Sequence, residues 1–145
     1  MTPEWQTRYQ QQLFHGCAED VIPDIAQRGF AISKQKSAAG AWQRFGPGFY
    51  FALQASKSHE YPLKQMHALK AGPHQRSMLL CKVAIGKAYE TTQNMSDLPG
   101  KPPAGFHSVF GKASAKGPLN YDEIVVYEPA AIYPWLKVTY EFVKL

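Results

Sequence analysis

The residue types that can do chemistry in this 145-residue chain sit in four places: His15, Gly46-Pro47-Gly48, the set Tyr50, Ser58 and Tyr61, and Glu123. His15 ends an apolar run, Gln12-Leu13-Phe14-His15-Gly16. An imidazole there can trade hydrogen bonds with a ligand, and Gly16 allows a close approach to the backbone. Tyr50, Ser58 and Tyr61 belong to one segment, FGPGFYFALQASKSHEY (45–61). Two tyrosines can sandwich a planar ring while the serine hydroxyl donates to a polar substituent. Glu123 opens an apolar strand after Asn120-Tyr121-Asp122, and a carboxylate in that setting is costly unless it is paired or used. Each feature also has a plainer account. His15 can be a satisfied core histidine, the tyrosines an aromatic core beside a helix-capping serine, and Glu123 a charge at a strand end. Taken one at a time, the residues leave both accounts open.

Other chemistries are poorly served. Gly46-Pro47-Gly48 is not followed by Gly-Lys-Ser/Thr, and it leads into a strand instead of a helix. It matches neither a phosphate loop nor a dinucleotide fingerprint. His15, His59, His67, His74 and His107 show no HxxxH spacing and no cysteine partner, so no metal is expected. Cys17 and Cys81 form no CxxC pair, and there is no GxSxG elbow.

The elements that must position these residues follow from pattern. Residues 1–12 read as a polar lead-in, and 12–16 as a short buried strand. Asp20 is placed to cap a helix whose apolar face holds Val21, Ile22, Ile25 and Ala26, with Pro23 in its first turn and Gly29 at its end. Residues 31–44 are small and polar, a loop long enough to be a lid. Phe49-Tyr50-Phe51-Ala52 is an aromatic strand running into a polar helical turn, and a further helix spans 62–70. Strands are expected over 77–86, 106–110, 123–127 and 134–143, with 87–92 extending the sheet and 97–105 as loop. In the last strand Leu136, Val138, Tyr140 and Phe142 alternate with Lys137, Thr139 and Glu141, the pattern of a half-buried antiparallel strand. The fold class is α+β, mostly antiparallel, with short helices toward the N-terminal half.

Hydrophobic residues make up 45% and charged residues 19% of the chain, values of a globular domain and not of a disordered one. One domain spanning 1–145 is expected. The formal charge of +5 points to an anionic partner: a dinucleotide, a nucleic acid or an acidic protein face. The basic residues are scattered, so no dedicated nucleic-acid stripe is visible. No signal-peptide run or membrane-length segment stands out, which favours an intracellular protein, cytoplasmic or nuclear, acting as a monomer away from membranes.

Seven blocks then occur in order: LFHG (13–16), GF (29–30), FGPGFYFA…SKSHEY (45–61), MLLCKVAIGKAYE (78–90), PPAGFHSV (102–109), LNYDEIVVYE (119–128) and YPWLKVTYEF (133–142). Together they resemble the catalytic domain of the poly(ADP-ribose) polymerase family, the diphtheria-toxin-like ADP-ribosyltransferases. The resemblance implies an ADP-ribosyltransferase fold, with split, mostly antiparallel sheets around an NAD cleft. It also implies NAD as substrate and a triad of His15, Tyr50 and Glu123. By the same likeness His15 binds an NAD ribose hydroxyl and the Gly16 backbone clamps the nicotinamide carboxamide. Tyr50, Phe51 and Ala52 line the nicotinamide site, Ser58 donates to the carboxamide and Tyr61 stacks on the ring. Glu123 holds the 2′-hydroxyl of the nicotinamide ribose.

The chain departs from the family pattern at three points. Cys17 stands where Ser or Thr is usual and weakens a hydroxyl contact to the nucleotide. Residues 111–118 form a short loop where polymer-forming members have a longer one, and Arg44 precedes Phe45 where Met is common. No helical autoinhibitory domain or DNA-sensing module is expected. The implied activity is cleavage of the nicotinamide–ribose bond, with transfer of single or few ADP-ribose units to protein, the enzyme itself included. The alternatives are polymer synthesis, transfer to nucleic-acid ends, NAD hydrolysis, and a module that binds NAD or ADP-ribose without turnover.

Overall fold

The structure is a computed structural model that describes residues 10–17, 19–31, 43–55 and 74–142. The expected lid (31–44) therefore lies mostly outside the described residues, as do the helical turn carrying Ser58 and Tyr61 and the helix over 62–70. The described elements are β1 (Gln10–His15), α1 (Ile22–Arg28), β2 (Phe49–Ala52), β3 (His74–Ala84), β4 (Ala88–Thr91), β5 (Ser108–Gly111), β6 (Glu123–Val126) and β7 (Ile132–Phe142). The strands form one mixed sheet in the order β4-β5-β6-β2-β1-β3-β7. The chain is thus α+β.

The resemblance implied split sheets; the described strands instead make one continuous sheet. The physical reason lies at β1 and β2, which share a single register pair, Phe14 with Ala52. By contrast β1 pairs with β3 over six residues and β2 with β6 over four. Two well-laddered halves therefore meet at a one-pair seam. Residues 88–91 do extend the sheet, at the edge far from β3, where they pair in parallel with β5. This is the one exception to antiparallel pairing among the described strands.

Alternation along β2 and β6 sorts the core onto two faces. Phe49, Phe51, Ile124 and Val126 join Leu13, Cys81, Val83 and Phe30 on one side. Val125, Tyr127, Val109, Phe45 and Leu119 pack on the other. All four residues of β6 are buried, so after Glu123 this central strand is a continuous apolar run, Ile124-Val125-Val126, instead of an alternating one.

Local signals are partly corrected. Asp20 does not cap α1: a single 3₁₀ turn over Glu19–Val21 precedes it, Val21 is the capping residue, and no side-chain cap bond forms. Pro23 does sit in the first turn, and Gly29 closes the helix at φ 76° with its N–H on the Ile25 carbonyl. Leu136, expected on the buried face of β7, is 44% exposed. Leu80 pairs with Leu136 and Cys81 with Pro134, which leaves Trp135 as an extra, bulged residue. Pro134 and the bulge blunt the exposed edge of the sheet.

The turn before β2 is held by a close approach. Gly46 has φ 71°, and a Cβ there would stand 2.1 Å from the Leu98 carbonyl oxygen. Met95 N–H also bonds the Arg44 carbonyl at 2.7 Å, so the segment after β4 fastens the turn. Gly46→Ala should lower stability by at least about 2 kcal/mol, from left-handed strain and overpacking together. Gly105→Ala, at φ 84° but with open space around it, should cost about 1 kcal/mol, from strain alone. Denaturant melts of the two variants check the difference.

Candidate active site

Three of the expected site residues lie on adjacent strands at the seam between the sheet halves. His15 ends β1, Tyr50 lies within β2, and Glu123 begins β6, on three adjacent strands. Ala52 is the direct partner of Glu123, and Tyr50 pairs with Val125. Tyr50 and Glu123 therefore share one face of the sheet, two residues apart along the ladder. His15 takes the other face. Its ring lies edge-on to Phe30 at 4.9 Å and tilted against Phe51 at 5.4 Å.

What joins the two faces is a hydrogen bond through the seam. His15 Nδ1 lies 3.0 Å from the Tyr50 carbonyl oxygen. A carbonyl only accepts, so the Nδ1 proton donates and Nε2 carries the lone pair. Desolvation holds the imidazole below its ordinary value of 6.5, opposed in part by this bond to Tyr50. A neutral ring with a fixed tautomer offers Nε2 as an acceptor for a ligand hydroxyl.

The Tyr50 phenol is turned toward its own turn. It donates to the Gly46 carbonyl at 2.6 Å and accepts the Phe45 N–H at 3.0 Å. Burial raises its pKa far above the ordinary tyrosine value, the Phe45 bond opposes this, and Tyr127 and Glu123 add to the rise. The phenol stays protonated at any physiological pH. Glu123 is 2% exposed and faces Gly111 on β5 and Ala52 on β2. It is a buried carboxylate flanked by small residues, and its burial rules out the solvent-exposed strand-end account.

Phe51 and Ala52 are each 2% exposed. The Phe51 ring packs tilted against the His15 ring. Cys17 is half-buried with a thiol pushed up to about 11 by burial, to which Asp20 adds. It is a protonated thiol at neutral pH and a weak hydrogen-bond donor. Both cysteines are free. Ser58 and Tyr61 lie outside the described residues. Among the described residues no group of three or more His, Cys, Asp and Glu side chains is arranged to hold a metal ion, and no helix is long and apolar enough to cross a membrane.

Sequence reasoning passed over Phe45 and Tyr127. Phe45 is fully buried, and its carbonyl accepts a hydrogen bond from the Tyr127 phenol at 2.8 Å. The signal was present in the period-two pattern, because 123, 125 and 127 fall on one face. Phe30, part of the GF block (29–30), meets the His15 ring edge-on.

One titration follows from this geometry. Below pH 6.5 the unfolded chain protonates His15 more readily than the folded one, since the folded value is depressed. The stability tied to a neutral His15 is intact above 6.5 and is lost as pH falls toward the folded value. Thermal melts of the protein and of His15→Gln should diverge as pH drops from about 7.5 to about 5, with the parent losing more.

Comparison with known proteins identifies the family. Residues 2–119 match the model of the poly(ADP-ribose) polymerase catalytic domain; the matched stretch ends before Glu123. The chain is 34% identical to Poly [ADP-ribose] polymerase 1 of Arabidopsis thaliana over 68% of its own length and 9% of that protein. It is 34% identical to Protein mono-ADP-ribosyltransferase PARP3 of Mus musculus over 72% of its length and 18% of that protein. It is 25% identical to Protein mono-ADP-ribosyltransferase PARP12 of Mus musculus over 90% of its length and 17% of that protein. The chain thus spans between 9% and 18% of these relatives. With the family match covering most of the chain, it belongs to the poly(ADP-ribose) polymerase catalytic domain family.

Proposed function

We propose that this domain is an NAD-dependent ADP-ribosyltransferase, with His15, Tyr50 and Glu123 as its catalytic set. The observation that carries the reading is the buried Glu123 carboxylate, on the same face as Tyr50 and one strand from the His15 seam. A carboxyl group held there can act against positive charge developing on a ligand.

In the reaction, the bond between nicotinamide N1 and ribose C1′ breaks, and its electron pair leaves with the nicotinamide. Positive charge develops on the ribose, and Glu123 stabilises it while accepting a hydrogen bond from the 2′-hydroxyl. An acceptor nucleophile then bonds to C1′ and gives up its proton. Because His15 lies on the opposite face of the sheet from Glu123, the nucleotide must cross the strand ends at the seam for His15 Nε2 to accept from a ribose hydroxyl. The Gly16 backbone clamps the carboxamide, Ser58 donates to it, and Tyr61 stacks on the ring. Tyr50 and Ala52 line the nicotinamide site, Phe51 supports the His15 ring, and Cys17 supplies a weak contact in place of a hydroxyl.

The acceptor we propose is protein, the enzyme itself included, with single or few units transferred. The brief 111–118 loop supports this, while the relatives include proteins named for mono-ADP-ribosylation and for polymer synthesis alike. A second reading, binding without turnover, is favoured by the thiol at position 17 and by the same brief 111–118 loop. Nicotinamide release from labelled NAD, with mass spectrometry of the products, separates these readings. Glu123→Ala should slow release at least about a hundredfold, with NAD binding retained by calorimetry. Binding without release in the parent protein would favour the second reading. Label on added nucleic acid, or chains of many units, would move the acceptor assignment.

A further inference from the structure

We infer that Tyr127 is a positioning residue for the Glu123 side of the site, acting through Phe45; the inference rests on the transferase reading above. Tyr127 lies just past β6, and its phenol donates to the Phe45 carbonyl at 2.8 Å in the interior. The Phe45 N–H donates to the Tyr50 phenol. Both backbone polar groups of this one residue are therefore held by tyrosine hydroxyls, from opposite sides. Gly48 makes room for the second tyrosine, since a Cβ there would come within 3.0 Å of the Tyr127 ring.

The Phe45 side chain is placed by this double hold. A Cβ on Gly111 would lie 2.6 Å from Phe45 Cζ. Gly111 is the direct cross-strand partner of Glu123, and side chains at such a pair stand about 5 Å apart. The Phe45 ring thus occupies the space beside Glu123 that a residue 111 side chain would otherwise fill. There it excludes water from one flank of the carboxylate. In a transferase, water beside the ribose would compete with the acceptor. Attack by water forms a C1′–O bond, releases a proton to solvent and yields free ADP-ribose.

Tyr127→Phe removes the hydroxyl and keeps the ring. Nicotinamide release should fall on the order of tenfold in kcat, short of the hundredfold that a displacement of about 1 Å costs. KM for NAD should stay within about twofold. The ratio of free to transferred ADP-ribose should rise several-fold, a ratio that does not depend on how much of the variant is folded. Should Tyr127→Phe fail to fold, Phe45→Leu, which keeps both backbone bonds and thins the wall, must show the same rise. Wild-type turnover with unchanged kcat and product ratio in the folded variant overturns this inference alone. So does an unchanged ratio in Phe45→Leu. A parent protein that releases no nicotinamide overturns the transferase reading, and this inference with it.

Discussion

A hydrogen bond from the His15 imidazole to the Tyr50 carbonyl holds the middle of this molecule together. It sits where the backbone ladder between β1 and β2 has only one register pair to offer. A strand carbonyl at such a seam needs a donor, since an unmet buried acceptor costs about 1–3 kcal/mol. The imidazole meets that need, and in doing so its tautomer is set. The same contact that completes the sheet therefore leaves one ring nitrogen with a lone pair for a ligand.

The two-faced core follows from that seam. β2 and β6 are covered on both sides, with His15, Phe30 and Phe51 above and Tyr50, Phe45 and Tyr127 below. Glu123 is the one carboxylic acid in β6, a strand buried along its whole length. Small neighbours, Ala52 and Gly111, flank it on the adjoining strands. A side chain at 111 would run into the Phe45 ring and Leu119.

The glycine turn before β2 is held from several directions. Leu98 presses on Gly46, Met95 bonds the Arg44 carbonyl, and two phenols grip the Phe45 backbone. Arg44 adds a bond to Asn94 at 3.2 Å. Segments far apart in the chain thus converge on residues 44–48. A local pattern of Gly and Pro marks a turn there, but only these remote partners give it one shape.

The sequence by itself determined the strands, because β-branched and aromatic runs bounded by Gly and Pro have few other ways to bury their apolar atoms. It also carried His15, Tyr50 and Glu123 as chemically capable residues, and the ordered blocks that resemble one family. It did not decide that residues 88–91 leave β3 for the far edge, nor that Asp20 gives way to Val21 at the start of α1. Those outcomes depend on pairing between distant segments and on the crowding of a particular turn, which local propensity does not encode. The faces of His15 and Glu123 were likewise open. Period two fixes alternation within a strand, but which residues oppose one another across strands is set by register, and register belongs to the folded sheet.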